Sequence, residues 1–183
     1  MTLEDVKAIF RQFDKFKKSI AQISYDEANK ETLCSLSNEI YCYDDIIGSR
    51  FVGHDTIKSF DGIAFKDDWI HFIEFKNGKI GSKQKQDIRL KVAEGLHYLE
   101  RVLLNSEFFF ANHIKTKFIL VYSEEKNQQE SVGQKILNEG LLAFSTLKYN
   151  KFIDDKYDVK WKYVDKAISL SEKRFVEEKD QYI

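Results

Sequence analysis

The sequence predicts an α/β fold with a mixed central β-sheet and helices on both faces. Short apolar runs of strand length alternate along the chain with longer segments in which apolar residues recur at helical spacing. The 183 residues, 43% hydrophobic and 32% charged, are typical of one soluble globular domain. Since no repeat, low-complexity tract or Gly/Ser-rich linker divides the chain, we expect a single domain spanning residues 1–183.

The first third of the chain predicts an outer helical layer. Apolar residues from Leu3 to Ile20 follow helical spacing, so we expect an amphipathic helix over residues 3–22. Glu27 to Leu36 also fits a helix, whereas Asn38 to Tyr43 is ambiguous between helix and strand.

The middle of the chain predicts a β-hairpin followed by a long helix. The apolar runs Ile57 to Phe65 and Trp69 to Phe75 are separated by a short polar segment, and Asn77-Gly78 closes the second run. A stripe of apolar residues then predicts a helix over Ser82 to Leu104.

The last third predicts further strands and helices. Lys117 to Ser123 suits a buried strand, Ser131 to Leu147 a helix, and Asp158 to Val164 an alternating strand. Ser169-Leu170-Ser171-Glu172 has the pattern of a capping box, which predicts a C-terminal helix over about 170–180.

The predicted hairpin brings three ionisable side chains to one face: Asp61, Glu74 and Lys76. If Asp67-Asp68 is a two-residue turn, Lys66 faces Trp69, Asp61 faces Glu74 and Ser59 faces Lys76. Apolar residues occupy the rest of both faces: Ile63, Phe65, Ile70 and Phe72 with the acids, and Phe60, Ala64, Trp69, Ile73 and Phe75 opposite.

Two opposed carboxylates on an apolar hairpin point to a bound cation. Their repulsion, together with desolvation, costs on the order of several kcal/mol when the charges are unpaired. Mg²⁺ binds through one or two carboxylates and keeps waters that can act as nucleophiles. Lys76 points to the same face as Glu74 and could orient such a water, although an exposed Asp61 with a surface Lys76 ion pair is the alternative interpretation.

Ser59-Phe60-Asp61-Gly62-Ile63 followed by Phe72-Ile73-Glu74-Phe75-Lys76-Asn77-Gly78 resembles the core of the PD-(D/E)XK nuclease superfamily. The resemblance covers residues 59–78 and extends loosely to residue 123. It implies a restriction-endonuclease-like α-β-β-α-β core and a Mg²⁺ cofactor, with Mn²⁺ as a substitute. Asp61, Glu74 and the Phe75 carbonyl would bind the metal, and Lys76 would be the catalytic lysine. The proline that usually precedes the aspartate is replaced by Phe60.

The same resemblance suggests further candidates. Many members carry a glutamate on the first helix near the metal, for which we rank Glu39 before Glu31 and Glu27. Some branches use a glutamine shortly after the motif, which would be Gln84 or Gln86, and a solvated helix start is the alternative interpretation of these two residues.

Local positive charge follows the motif, although the net charge of the chain is -1. Six basic residues against one acid lie between Lys76 and Lys91. Lys79, Lys83, Lys85 and Arg89 are therefore candidates for contacts with nucleic-acid phosphates.

We expect structural roles for several other residues. Cys34 and Cys42 lack the spacing of a zinc motif and are interpreted as inert thiols. We interpret His71 as a structural histidine, and Asp44-Asp45 and Asp154-Asp155 as turn or cap residues. For Phe108-Phe109-Phe110, core packing is favoured over a base-stacking platform.

These patterns predict a cytoplasmic, Mg²⁺-dependent nuclease acting on nucleic acid, with DNA as the expected substrate, in defence, restriction, repair or a mobile element. No signal peptide, membrane span or ATP-binding motif is recognisable, and a homodimer or another protein partner is a further expectation. The alternative is a catalytically inactive nuclease-fold protein that binds nucleic acid or acts as an inhibitor, immunity protein or assembly partner.

Overall fold

The described part of the chain is built around a six-stranded mixed sheet, as the sequence predicts. The computed structural model describes residues 2–50, 57–104, 114–127 and 164–183. Its strands are β1 (Lys17–Ser19), β2 (Tyr25–Asp26), β3 (Glu31–Thr32), β4 (Glu39–Cys42), β5 (Gly62–Lys66), β6 (Trp69–Lys76), β7 (Lys115–Tyr122) and β8 (Lys166–Ser171). The sheet has the order β1-β4-β5-β6-β7-β8, while β2 and β3 form a separate pair. Pairing is antiparallel from β1 to β6 and parallel from β6 to β8.

Helices contribute to both faces of the sheet. They are α1 (Leu3–Phe10), α2 (Ile20–Ile23), α3 (Tyr43–Gly48), α4 (Ser82–Tyr98) and α5 (Glu172–Glu177). Successive β7 residues separate into two apolar clusters, because strand side chains alternate between faces. One cluster joins Phe118 and Leu120 to apolar residues of α1, α3 and α4. The other joins Ile119 and Val121 to residues of α2 and α5. No helix of the described ranges is long and apolar enough to cross a membrane.

The prediction of one N-terminal helix over residues 3–22 is wrong, because only its first half forms an α-helix that starts at Leu3. Helix α1 ends at Phe10, a 3₁₀ helix covers Arg11–Phe16, and the chain then enters β1. Helical apolar spacing persists as far as the buried Phe13, but pairing of Lys17 with Tyr41 of β4 overrides it. Tertiary strand pairing commonly outweighs local propensity in this way.

The segment from Glu27 to Leu36 does not form the helix that it fits in sequence. It contains the turn between β2 and β3, where Lys30 has a positive φ of 55°, and then β3 itself. The ambiguous stretch from Asn38 to Tyr43 supplies β4 and enters α3.

The predicted hairpin register is confirmed within β5 and β6. Lys66 faces Trp69, and the ladder continues to Gly62 opposite Ile73. Asp67 in the turn has a φ of 51°, a conformation that two-residue hairpin turns require and that aspartate tolerates. The strand starts at Gly62 rather than Ile57, and this later start changes the position of Phe60.

Phe60 lies on the other side of the sheet from the one predicted. It packs in the same cluster as Phe72, not with Ala64 and Ile73. The alternation of faces fails here because the residues before Gly62 have left the strand ladder. The Phe60 ring instead stacks on Tyr43, with ring centroids 4.6 Å apart.

The long helix predicted over Ser82 to Leu104 is present as α4, continued by a π-helical turn at Leu99–Leu103. Strand β7 corresponds to the run from Lys117 to Ser123. The predicted helix 131–147, Phe108 to Phe110 and Asp154-Asp155 lie outside the described residues. So does the predicted strand 158–164, except for Val164, which is buried and outside any strand.

The predicted start of the C-terminal helix is two residues too early, because the N-cap is Ser171 and not Ser169. Ser169 belongs to β8, where it pairs with Leu120, so it cannot cap a helix. Ser171 is the N-cap of α5, and its hydroxyl accepts the Arg174 backbone N–H. Helix α5 ends at Glu177, and a 3₁₀ helix follows at Lys179–Gln181.

His71 is a buried histidine on the face of β6 opposite the acids. Its Nδ1 lies 2.8 Å from the Tyr182 carbonyl oxygen, whereas its buried Nε2 has no hydrogen-bond partner among the residues that the structure describes. Burial lowers the pKa of His71 to about 4, because the charged ring would be poorly solvated.

We expect His71 to make the stability of the protein depend on pH. Because its pKa is lower in the folded than in the unfolded state, the unfolded chain takes up the proton first, and stability falls as the pH drops from about 6.5 to 4. This difference in pKa between the unfolded and folded states corresponds to about 3 kcal/mol of unfolding free energy. Urea unfolding of wild type and His71→Gln at several pH values measures it: their stability difference should shrink at low pH, and parallel curves would contradict the prediction.

Candidate active site

The site lies at the end of the β5-β6 hairpin that is farther from its turn. Glu74 and Lys76 belong to β6, and Asp61 immediately precedes β5. Although Asp61 is outside the ladder, its Oδ2 accepts the Phe75 backbone N–H at 2.6 Å, and its carbonyl accepts the Tyr43 N–H at 3.0 Å. Two backbone contacts therefore fix Asp61 beside the end of β6, close to where the sequence predicted it.

Glu74 is a fully buried acid, with 0% of its surface exposed, on a strand that has neighbours on both sides. Burial, and then the charge of Asp61, raise the pKa of Glu74. Lys76 Nζ lies 2.6 Å from Glu74 Oε1 and forms an ion pair with it. Glu74 Oε1 is thus a buried oxygen that is already in contact with a cation.

Lys91 of α4 joins the two acids, a contact that the sequence analysis missed. Its Nζ lies 3.1 Å from Asp61 Oδ1, and 2.9 and 3.0 Å from the two oxygens of Glu74. Burial opposes the charged form, but the charges of Asp61 and Glu74 outweigh it and raise the pKa of Lys91 well above its usual range. The two carboxylates thus converge on one point that already holds a positive charge.

A sequence signal for Lys91 did exist. It lies three residues after Ile88 and immediately before Val92, both of which are buried in α4. This position flanks the apolar stripe that faces the sheet, so a lysine there reaches the sheet more easily than one on the outer face of the helix. In the sequence analysis, Lys91 only marks the end of the basic segment that begins at Lys76.

Asp44 is a third acid near the site. It lines a cavity of about 330 Å³ together with Asp61 and Lys76, and it accepts a hydrogen bond from the Ser59 hydroxyl. Burial and the charge of Asp61 raise the pKa of Asp44. The interpretation of Asp44-Asp45 as turn or cap residues describes their place in the first turn of α3, but it misses the approach of Asp44 to Asp61.

The glutamates suggested as an additional metal ligand lie elsewhere. Glu39 is exposed and lines a different cavity with Lys7 and Arg11. Strand β4 pairs Cys42 with Gly62 and Tyr41 with Ile63, so Glu39 lies along the hairpin in the direction away from Asp61. The prediction for Glu39 is corrected accordingly.

The two lower-ranked glutamates do not join the acids either. Glu31 forms an ion pair with Lys126 and accepts a hydrogen bond from Asn77, and Glu27 is exposed.

The glutamines and basic residues after the motif lie just before α4 or in its first half. Gln84 Oε1 accepts the Gly81 N–H at 3.1 Å, which fits the interpretation of Gln84 as part of the helix start. Gln86 is exposed. Four exposed basic residues follow β6 without entering the acidic cluster: Lys79, Lys83, Lys85 and Arg89.

The residues present fit a Mg²⁺ ion held by few protein ligands. Within the described ranges, no group of three or more His, Cys, Asp or Glu side chains is arranged to hold a metal ion. Mg²⁺ needs only one or two carboxylates, since waters complete its coordination. Asp61 and Glu74 provide two, and their oxygens already converge on one cation, the Lys91 ammonium.

The two cysteines lie apart from this chemistry. Cys34 and Cys42 are buried free thiols, and burial raises the pKa of Cys34 to about 12 and that of Cys42 to about 11. Both therefore remain protonated at neutral pH and are poor nucleophiles or metal ligands.

Compared with models of protein families, with curated proteins and with solved structures, the chain matches none of them. Its function has to be argued from its own residues.

Proposed function

We propose that this protein is a Mg²⁺-dependent nuclease of the PD-(D/E)XK type that hydrolyses phosphodiester bonds in DNA, with Mn²⁺ as a substitute for Mg²⁺. The observation that carries the proposal is the convergence of Asp61, Glu74 and Lys76 at one end of the β5-β6 hairpin. A buried acid pair beside a lysine is costly to fold, so a function that uses its charges gives a reason for keeping it.

In this proposal each side chain of the site has a distinct role. Asp61 and Glu74 would hold the metal, helped by the Phe75 carbonyl. The metal would supply Lewis-acid stabilisation of the phosphate and a water of lowered pKa. Lys76 keeps 25% of its side chain exposed, so its ammonium can orient the attacking water or offset charge that develops on the phosphate.

The exposed lysines and arginine after β6 supply the contacts with DNA in this proposal. Lys79, Lys83, Lys85 and Arg89 lie between the site and the start of α4 or along its first half. Such residues bind phosphates without reading sequence, and their contribution weakens with salt. We further propose that the protein acts in the cytoplasm, as a homodimer whose two sites address the two strands.

Lys76→Ala tests the catalytic part of the proposal. Supercoiled plasmid and single-stranded DNA are incubated with wild type or variant, in Mg²⁺, in Mn²⁺ and in EDTA. We expect wild-type cleavage only with a metal ion, and a loss of about 100-fold or more in Lys76→Ala, because a charge that acts in the transition state is removed.

Lys7→Ala is the matched control for this test. Lys7 forms an ion pair with Glu4 on α1 and lines the other cavity, so its loss should leave cleavage unchanged. Cleavage by Lys76→Ala at the wild-type rate would refute the assigned role of Lys76.

One observation favours a second candidate, a nuclease-fold protein without catalytic activity. The Lys91 and Lys76 ammonium groups already balance the charges of Asp61 and Glu74, so the pair can fold without metal. Such a protein would bind nucleic acid or a protein partner without cutting DNA. Absence of cleavage by pure wild type on both substrates, with either metal, would favour this candidate.

A further inference from the structure

Lys91 occupies the point at which the two candidate metal ligands meet. Its Nζ is within 3.1 Å of one oxygen of Asp61 and of both oxygens of Glu74. A divalent ion bound by the same carboxylates would lie about 2.0–2.6 Å from their oxygens. The ammonium and such an ion would therefore fill overlapping space and repel each other as like charges.

We propose that Lys91 is an internal counter-ion that holds the acid pair together without metal and must leave its position before a divalent ion binds there. The inference rests on the proposed function only in taking Asp61 and Glu74 as the metal ligands. Lys91 and the metal ion compete for one site, so Lys91 sets the metal concentration at which the site fills.

The surroundings of Lys91 allow this exchange. Its side chain keeps 21% of its surface exposed and is long and flexible, so the ammonium can withdraw towards solvent while the stem stays packed on α4. Within the described ranges, the other charged groups near the acids are Asp44 and Lys76. Lys76 contacts only Glu74, whereas Lys91 contacts both Asp61 and Glu74. Lys91 is therefore the cation that a metal ion bridging the two acids would have to replace.

Lys91→Met tests the competition with Mn²⁺ alone as the probe, measured by titration calorimetry on the full chain. Methionine keeps an apolar stem of similar length and removes the charge. We expect Mn²⁺ to bind about 10-fold more tightly or better, in the range that coupling between two ligands commonly reaches. We also expect a lower Tm without metal and a larger rise in Tm with Mn²⁺ than in wild type.

Two further variants sharpen this experiment. Lys83→Met removes an exposed lysine from the same helix, and its affinity for Mn²⁺ should stay within about 2-fold of wild type, apart from the general effect of one charge. Lys91→Arg keeps the positive charge and should not bind Mn²⁺ more tightly than wild type. Equal affinity of wild type and Lys91→Met for Mn²⁺ would overturn the inference.

A measurement on wild type decides the matter if Lys91→Met does not fold. Brief acetylation followed by mass spectrometry reports how accessible each lysine is. Saturation with Mn²⁺ should increase acetylation of Lys91 by about 5-fold or more relative to Lys83, because the displaced ammonium moves to solvent. Unchanged acetylation of Lys91 at saturating Mn²⁺ would overturn the inference.

These readouts separate the inference from the proposed nuclease activity. Tighter Mn²⁺ binding in Lys91→Met without cleavage by any variant would support the counter-ion and refute the nuclease. Metal-dependent cleavage by wild type, with no change of Mn²⁺ affinity in Lys91→Met, would support the nuclease and refute the counter-ion.

Discussion

Glu74→Gln is expected to reduce Mg²⁺-dependent DNA cleavage by about 100- to 1,000-fold while the protein remains folded. Glutamine has the size of glutamate but carries no charge, so it is a poor ligand for a hard divalent ion. The fold should tolerate it because burial already penalises the charged carboxylate, as the raised pKa of Glu74 indicates. The loss of ion pairs with Lys76 and Lys91 acts in the opposite direction.

Glu39→Gln is the matched control for this variant. This substitution makes the same chemical change at an exposed residue that lines the other cavity, so cleavage should stay at the wild-type rate. Cleavage rates and circular dichroism on the same samples separate loss of the metal ligand from loss of the fold. Full activity of a folded Glu74→Gln would exclude Glu74 as a ligand.

Phe60→Ala is expected to cost about 3–5 kcal/mol of stability, the range found when a buried aromatic side chain is truncated. Phe60 is 0% exposed and packs against the rings of Tyr43 and Phe72, with centroid distances of 4.6 and 4.7 Å. Gly95 of α4 gives it room, since a Cβ there would lie 2.9 Å from the Phe60 ring. Urea unfolding of wild type and variant measures the difference.

Phe60→Leu serves as the graded control, because it fills most of the volume and should cost less than Phe60→Ala. Phe60 directly precedes Asp61, so the larger cavity should also loosen that acid and weaken Mn²⁺ binding. A cost below about 1 kcal/mol for Phe60→Ala would contradict the packing described for this residue.

The hairpin and its site follow from the sequence because their determinants are local. Once Asp67-Asp68 is taken as the turn, counting along an antiparallel ladder fixes the register, and this register brings Asp61 near Glu74. The same rule failed at Phe60, one residue earlier than Asp61. Alternation of faces holds only while the chain stays in the ladder, and nothing local marks Gly62 as the first strand residue.

The residues that the sequence missed depend on contacts across the fold. Lys91 and Asp44 reach the site from α4 and α3, 17 and 30 residues from Glu74, and only packing of these helices brings them there. The prediction for Glu39 rests on its chemical type alone, and the pairing of β4 with β5 places Glu39 away from Asp61. The predicted length of the N-terminal helix is wrong for a similar reason, because β1 pairs with β4 and the sequence of β1 alone does not reveal this pairing.

Diffraction from crystals soaked in Mn²⁺ tests most directly whether Asp61 and Glu74 hold a metal ion. We predict an anomalous peak within about 2.0–2.6 Å of oxygens from both carboxylates, with the Lys91 ammonium displaced from between them. The contradicting result is a Lys91 ammonium that still bridges Asp61 and Glu74 at saturating Mn²⁺, with no anomalous peak beside either acid.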